Sequence, residues 1–154
     1  MINITKLIIS ILVVEAIGLL GGIFNVKSIP KWYSKLRKPR FNPPARIFGP
    51  VWTILYLMMG ISFYLIWTSD KSIYLASIIF AIQLIFNFAW SGIFFGAHKP
   101  GLAFIEIIFL WLSIIATIVM FYPISQLASY LLVPYLLWVS FASVLNFAIY
   151  WLNK

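Results

Sequence analysis

Five apolar runs, each about twenty residues long, constrain the fold of this 154-residue chain more than any other feature. A helix of that length matches the thickness of the hydrocarbon core of a bilayer. Hydrophobic residues make up 64% of the sequence and charged residues 9%, a proportion that a soluble domain of this size cannot bury. The sequence therefore predicts an all-α integral membrane protein. The predicted transmembrane helices cover residues 6–24, 50–68, 72–96, 101–122 and 127–152.

The connections between these helices indicate a single compact domain. Three of them are short, so neighbouring helices must run antiparallel in one bundle, residues 1–154. The first apolar run follows Lys6, as in a secretory signal, but it contains Glu15 and has no small-x-small cleavage site before Asn25. We therefore expect it to be retained as the first helix.

The remaining connection, residues 25–49, is long and basic. Seven of the eleven cations lie between Lys27 and Arg46. Beside an apolar helix such charge faces anionic headgroups, so we expect the lipid bilayer and not nucleic acid as its partner. Lys99 and Lys154 fall on the same side of the bundle. For the plasma-membrane location that we expect, the positive-inside rule predicts an outside N-terminus and a cytoplasmic C-terminus.

Proline prevents this connection from forming one continuous helix. Pro39, Pro43 and Pro44 each disfavour helical geometry in the residue that precedes them. The segment also carries aromatic rings, which suit two arrangements. It either folds across the mouth of the bundle as a lid or lies on the headgroups as an anchor, and the residues alone fit both.

Conventional catalytic and metal sites are excluded by the residues that the chain lacks. It has no cysteine and one histidine, His98, so it cannot form a zinc site or a Cys-His pair. His98 lies beside Lys99 in a short polar connection, where we expect it to be solvated. We predict no metal and no cofactor.

Three ordered blocks of aromatic, proline and asparagine residues run through the chain. They are Trp32-Tyr33, Lys38-Pro39, Pro43-Pro44, Phe48-Gly49-Pro50-Val51-Trp52-Thr53, Leu55-Tyr56 and Met59-Gly60; then Asn87-Phe88-Ala89-Trp90 and Phe94-Phe95-Gly96; then Pro134-Tyr135-Leu136, Trp138, Phe141-Ala142 and Val144-Leu145-Asn146. Together they resemble the signature of the TspO/MBR family, the tryptophan-rich sensory proteins that include the mitochondrial translocator protein. The resemblance is to a bacterial-type member of the family. The positions of the matching blocks agree with the five predicted helices.

The resemblance implies a bundle of five transmembrane helices whose first loop covers a pocket as a lid. It implies a membrane receptor or carrier for tetrapyrroles such as protoporphyrin IX, which also takes isoquinoline carboxamide and benzodiazepine-type ligands. Some bacterial relatives promote light-dependent breakdown of protoporphyrin, which makes Trp52 and Trp138 candidates for photochemistry. Homodimers are common in the family. The sterol motif of mitochondrial members is not matched at Phe147, Ala148 and Trp151, so a sterol partner is in doubt.

Several motif residues share helix faces. Trp52 and Tyr56 lie four residues apart, and Asn87 and Trp90 three apart. Spacing alone favours packing or an interfacial belt for such aromatic residues, whereas the resemblance assigns them to the ligand pocket. The candidate ligand-binding residues are Trp32, Tyr33 and Pro44 in the lid, with Trp52, Tyr56, Asn87, Trp90, Tyr135, Trp138, Ala142 and Asn146 in the helices.

Charged and polar residues leave further alternatives open. Lys38 and Arg46 are candidates to pair with the propionates of a porphyrin, although anionic lipid explains the same charges. Glu15 and Glu106 lie within apolar helices, and we expect both to be buried structural acids. A different class of function, a small-solute permease acting as a dimer, would need polar side chains along a path. The mid-span candidates for such a path are Gln83, Asn87, Ser91 and Asn146.

Overall fold

A computed structural model of the protein describes residues 2–154. Its α-helices are α1 (Ile4–Ser28), α2 (Ala45–Trp67), α3 (Tyr74–Ser91), α4 (Pro100–Phe121), α5 (Gln126–Leu131) and α6 (Val133–Leu152). In this part of the chain, five helical segments are long and apolar enough to cross a membrane, and α5 and α6 together form the fifth. The prediction of an all-α bundle with five membrane-spanning helices is confirmed.

The first connection is shorter than the sequence predicts. α1 continues to Ser28 and α2 begins at Ala45, so the loop covers residues 29–44 and contains one short 3₁₀ turn. Pro44 has an extended backbone (φ −56°, ψ 137°) and α2 starts directly after it. Pro50, where the sequence predicts the helix to begin, lies inside α2. Proline already has the φ of a helix and is tolerated near a helix N-terminus, where few backbone hydrogen bonds are lost.

Two of the spans contain irregular turns that the sequence analysis does not predict. α3 continues into a π-helical turn, Gly92–Gly96, which contains the buried residues Phe94 and Phe95. The span predicted as continuous over 127–152 is broken at Leu132, between α5 and α6. Pro134 lies in the first turn of α6 and cannot donate a backbone hydrogen bond to the turn before it, so a new helix begins there.

The helices form a ring in the order α2, α1, α3, α4 and α6, and α5 closes it by packing against both α2 and α4. Ser62 of α2 donates its hydroxyl to the Ala128 carbonyl of α5 over 2.7 Å, and both residues are fully buried. α6, which begins after the break at Leu132, does not pack closely against α2 in this way. Instead, aromatic rings meet between the two helices, Phe48 with Trp138 and Trp52 with Tyr135.

The backbones of α1 and α2 approach closely at Gly60. A Cβ atom at Gly60 would lie 2.7 Å from the Ile11 Cα, so the two helices approach too closely there for any side chain. Gly18 of α1 similarly makes room for the ring of Tyr56. The opposite face of α1 is exposed, with Leu19 71% accessible, as expected for a surface that lipid covers.

Replacing Gly60 with alanine should lower the melting temperature in detergent, because the added methyl group meets the Ile11 backbone. Overpacking of this kind costs roughly 1–3 kcal/mol. The matched control is Gly22→Ala in α1, where an added Cβ meets nothing within 4 Å. Because alanine favours a helix over glycine, the control should be unchanged or slightly more stable. Equal melting temperatures for the two variants would contradict the close approach of α1 and α2.

Candidate functional site

A cavity lies under the first loop, between α2, the end of α3 and α6. Its free space is narrow, about 30 Å³. Side chains therefore fill most of the space between these helices. The residues that line the cavity are Asn25, Ile29, Tyr33, Phe48, Trp52, Trp90, Phe94, Phe95, Trp138, Ala142, Leu145, Asn146 and Ile149.

Aromatic rings form most of the cavity wall and pack on one another. The rings of Phe48 and Trp138 meet edge to face, with centroids 6.1 Å apart. On the opposite side, Trp90 packs on Phe94 at 5.4 Å and meets Phe95 edge to face at 5.9 Å. Such rings present large, flat, apolar surfaces that can stack on a planar ligand.

Two polar atoms on the cavity wall are buried and have no hydrogen-bond partner within residues 2–154. They are the indole Nε1 of Trp138 and the Oδ1 of Asn25. In contrast, Trp90 Nε1 donates to Asn146 Oδ1 over 3.0 Å, and Asn146 Nδ2 donates to the Pro100 carbonyl over 2.7 Å. Unpaired buried polar groups are costly and rare. One free donor and one free acceptor on an apolar wall suit a ligand that carries both kinds of polar group.

A chain of buried hydrogen bonds supports the cavity from the middle of the bundle. The Tyr56 hydroxyl donates to Asn87 Oδ1, and Asn87 Nδ2 donates to the Tyr135 hydroxyl over 2.7 Å. The Tyr135 hydroxyl in turn donates to Gln83 Oε1 over 3.0 Å. Trp52 rests on this chain, stacked on Tyr56 with centroids 5.5 Å apart and edge-on to Tyr135 at 6.2 Å. The polar chain therefore fixes the position of one cavity tryptophan.

The first loop is tied to the bundle at two places. Trp32 stacks on His98, in the connection between α3 and α4, with ring centroids 4.5 Å apart. Further along the loop, the Arg37 N–H donates to Asn153 Oδ1, and Asn153 Nδ2 donates back to the Arg37 carbonyl, both over 2.9 Å. The loop thus crosses the end of the bundle from the α3 side to the end of α6 and covers the cavity. Of the two sequence-based arrangements, the structure has the loop across the bundle mouth.

Tyr33 is the loop residue that reaches the cavity. It is buried, lies 5.7 Å from the Phe95 ring centroid, and donates its hydroxyl to Asn42 Oδ1 over 2.7 Å. Burial raises the pKa of Tyr33 to about 12, although the hydrogen bond to Asn42 acts in the opposite direction. The phenol therefore keeps its proton, and can donate to Asn42, throughout the physiological pH range.

The two basic residues considered for a ligand's carboxylates lie in different places. Lys38 folds back on its own loop, where its Nζ donates to the Leu36 carbonyl over 3.0 Å and lies 4.8 Å from the centre of the Tyr33 ring. Arg46 is exposed and lines a wider groove between α1 and α2, which adjoins the cavity at Trp52. Neither cation is on the cavity wall.

The structure brings only part of the predicted ligand-binding set together. The predicted residues that line the cavity are Tyr33, Trp52, Trp90, Trp138, Ala142 and Asn146. Tyr56, Asn87 and Tyr135 lie behind this wall, and the Asn87 amide is already bonded to both tyrosines. Trp32 is placed outside the wall, on His98, and Pro44 is exposed at the start of α2.

Sequence reasoning missed several wall residues. They are Asn25, Ile29, Phe48, Phe94, Phe95, Leu145 and Ile149. The phenylalanines belong to the motif blocks and could have been included on that signal. Asn25 and Ile29 gave no signal, because they fall just beyond the predicted end of the first helix. The sequence analysis also treats His98 as merely solvated, whereas its Nε2 lies 3.1 Å from the Ser28 hydroxyl and its ring holds the loop.

The two acids within the helices lie away from the cavity wall and differ in environment. Glu106 of α4 is buried, and neither of its carboxylate oxygens has a hydrogen-bond partner within residues 2–154. Glu15 of α1 is only partly buried and lines the groove between α1 and α2. The expectation of a buried acid therefore describes Glu106 better than Glu15.

The polar residues that a permease path would require are engaged inside the bundle. Gln83 and Asn87 bond to Tyr135, and Asn146 bonds to Trp90. These bonds join neighbouring helices and support the aromatic wall. This arrangement favours a binding pocket over a polar pathway.

Replacing Asn153 with alanine removes both hydrogen bonds that hold Arg37 to the end of α6. Loop residues after Trp32 should then leave the bundle more often, and trypsin should cleave after Lys35 and Arg37 roughly five- to thirtyfold faster. The control is Asn3→Ala, which removes a cap of α1 at the opposite end of the bundle. Equal loop cleavage in Asn153→Ala and the native chain would show that this contact does not hold the loop.

Comparison with known proteins places this architecture in a family. The model of the TspO/MBR family matches residues 10–152. The tryptophan-rich protein TspO of Archaeoglobus fulgidus is 46% identical, over 98% of this chain and 99% of the relative. The protein of the same name from Chlorobaculum tepidum is 44% identical, over 90% and 89%, and the human translocator protein is 38% identical, over 78% and 73%. The chain belongs to the TspO/MBR family of membrane proteins.

Proposed function

We propose that the protein is a membrane receptor or carrier that binds tetrapyrroles, with protoporphyrin IX as the representative ligand, in the cavity under the first loop. The single observation that carries the proposal is the convergence of Trp52, Trp90 and Trp138 on one cavity in which the Trp138 indole N–H is unpaired. Planar rings suit this wall, and the same chemistry extends the proposal to isoquinoline carboxamide and benzodiazepine-type ligands.

The polar atoms of the wall agree with the chemistry of a tetrapyrrole. The Trp138 N–H can donate to a carboxylate or a ring nitrogen, and Asn25 Oδ1 can accept from a pyrrole N–H. Of the two cations predicted to meet a propionate, Lys38 is folded back on the loop, and Arg46 lies in the adjoining groove. Binding through these groups needs no metal and no axial ligand.

Ligand entry must change the cavity, because its free space of about 30 Å³ is far smaller than the roughly 300–1,000 Å³ of typical ligand pockets. The rings of Phe48 and Trp138 fill the space where a macrocycle would lie. We propose that the loop acts as a lid: it lifts with Tyr33, the rings rotate outward, and the loop closes again over the ligand. The hydrogen bonds at Arg37 are the contacts that such an opening would break.

A photochemical role is the second candidate, favoured by the position of Trp52 and Trp138 on the same cavity wall. A porphyrin held there would be excited by light and would transfer energy or an electron to dioxygen, and the two indoles are among the oxidisable side chains that line the cavity. This role requires that a porphyrin binds in the cavity as proposed, and dioxygen is its oxidant. Under illumination, Trp52→Phe would then slow the loss of bound porphyrin, and removal of dioxygen would abolish that loss.

We also propose how the protein is oriented in the membrane and that it assembles as a homodimer. The first loop, Lys99 and Lys154 lie at one end of the bundle, and the positive-inside rule assigns that end to the cytoplasm of a cell with this protein in its plasma membrane. The N-terminus is then outside. A homodimer would cover part of the exposed apolar surface of α3, where Ile82 and Ile85 are 41% and 66% accessible.

Trp138→Phe should weaken protoporphyrin IX binding in the dark roughly five- to tenfold, because it removes a buried, unpaired donor from the cavity wall and keeps an aromatic ring. The measurement is a titration of the purified protein followed by tryptophan fluorescence quenching. The matched control is Trp151→Phe, which makes the same change at an exposed position off the cavity. Equal affinities for both variants, or quenching that does not saturate, would overturn the proposed site.

A further inference from the structure

A wide groove of about 600 Å³ lies between α1 and α2. The two helices touch at Gly60, whereas a Cβ at Gly22 or Gly49, on the groove wall, would meet nothing within 4 Å. Along α1 the groove extends from Glu15 to Ile29, a length of about 21 Å at the rise of an α-helix. Half of a bilayer's hydrocarbon core is about 15 Å thick. The groove therefore runs from the middle of the membrane to the headgroup level of the loop-side leaflet.

The walls of the groove are apolar and face the bilayer. Leu19, Ile23 and Val26 of α1 lie along it and are 71%, 47% and 75% exposed. Gly22 and Gly49 contribute no side chain, and a Cβ built on either meets nothing within 4 Å. An extended apolar chain can therefore lie along the groove without displacing a protein atom.

Charge in the groove is distributed along its length. Lys27 of α1 and Arg46 of α2 both line the groove toward the loop end of the bundle, and both are exposed. The one acid on the groove wall, Glu15, lies at the inner end, about three turns of helix away from Lys27. The outer end thus favours an anion, and basic pockets between membrane helices at this level bind anionic headgroups.

We propose that this groove binds one anionic phospholipid of the loop-side leaflet. Its phosphate lies between Lys27 and Arg46, and one acyl chain follows Gly22 toward the middle of the membrane. The site adjoins the tetrapyrrole cavity, with which it shares Asn25, Ile29, Phe48 and Trp52, and lipid binding there does not require a bound tetrapyrrole. The bound lipid would then pack against the outer face of a cavity residue.

The test is native mass spectrometry of the purified protein, exchanged into detergent that contains equal amounts of dioleoyl phosphatidylglycerol and dioleoyl phosphatidylcholine. These lipids have the same acyl chains and differ in headgroup charge. Each cation near an anionic headgroup contributes roughly fivefold, so with two cations the native chain should retain one phosphatidylglycerol with a preference of roughly thirtyfold.

Two variants separate the headgroup from the acyl chain. Lys27→Gln with Arg46→Gln should remove the preference for phosphatidylglycerol and leave some lipid bound. Gly22→Leu should displace the lipid altogether, because the new side chain fills the groove without meeting protein atoms at Cβ. The matched control, Lys35→Gln with Arg40→Gln, makes the same change in net charge at exposed loop positions off the groove and should keep the preference.

Equal retention of the two lipids by the native chain, or full retention by Gly22→Leu, would overturn the proposal. Protoporphyrin IX, titrated into the same samples, tests the other occupant. If Gly22→Leu loses porphyrin and keeps phosphatidylglycerol, the groove belongs to the tetrapyrrole and the lipid proposal is wrong. Loss of lipid with porphyrin binding unchanged would support the lipid site and would show that porphyrin binding does not depend on it.

Discussion

The hydrogen bond from Ser62 to the Ala128 carbonyl holds α5 against α2, and the rest of the site depends on that attachment. Because the chain breaks at Leu132, α5 packs against α2 while α6 makes few close contacts with it. The space between α2 and α6 cannot remain empty in a packed bundle. Aromatic rings such as Trp52 and Trp138 fill it, and the result is a narrow cavity whose walls are ready to stack on a planar ligand.

The first loop covers the same space. Without it, the apolar rings between α2 and α6 would be exposed, and the loop covers them with Tyr33 while it is held by Trp32 on one side and Arg37 on the other. These attachments are few and lie at the surface, so the loop can detach without unfolding the helices. The cavity and its cover therefore form one functional unit. The wider groove adjoins this unit on the α1 side of α2.

The sequence predicted the number of membrane-spanning segments, because the thickness of a bilayer fixes the length of an apolar span. It predicted the start of α2 less well, since a proline such as Pro50 is compatible with either a helix start or a position inside the first turns. It could not predict that Asn87 bonds two tyrosines rather than facing a ligand, because that depends on how α2, α3 and α6 meet. The pairs Trp32–His98 and Arg37–Asn153 join residues far apart in the chain, and no local pattern reports them.

The central claim is that the first loop is docked across the mouth of an aromatic cavity. The chain has no cysteine, so two spin labels can be placed without background, at Lys35→Cys in the loop and Asp70→Cys at the far end of the bundle. Pulsed electron paramagnetic resonance on the ligand-free protein in lipid then measures the distance between them. A docked loop predicts a single narrow distance distribution. A broad distribution, typical of a chain that is free of the bundle, would contradict the account.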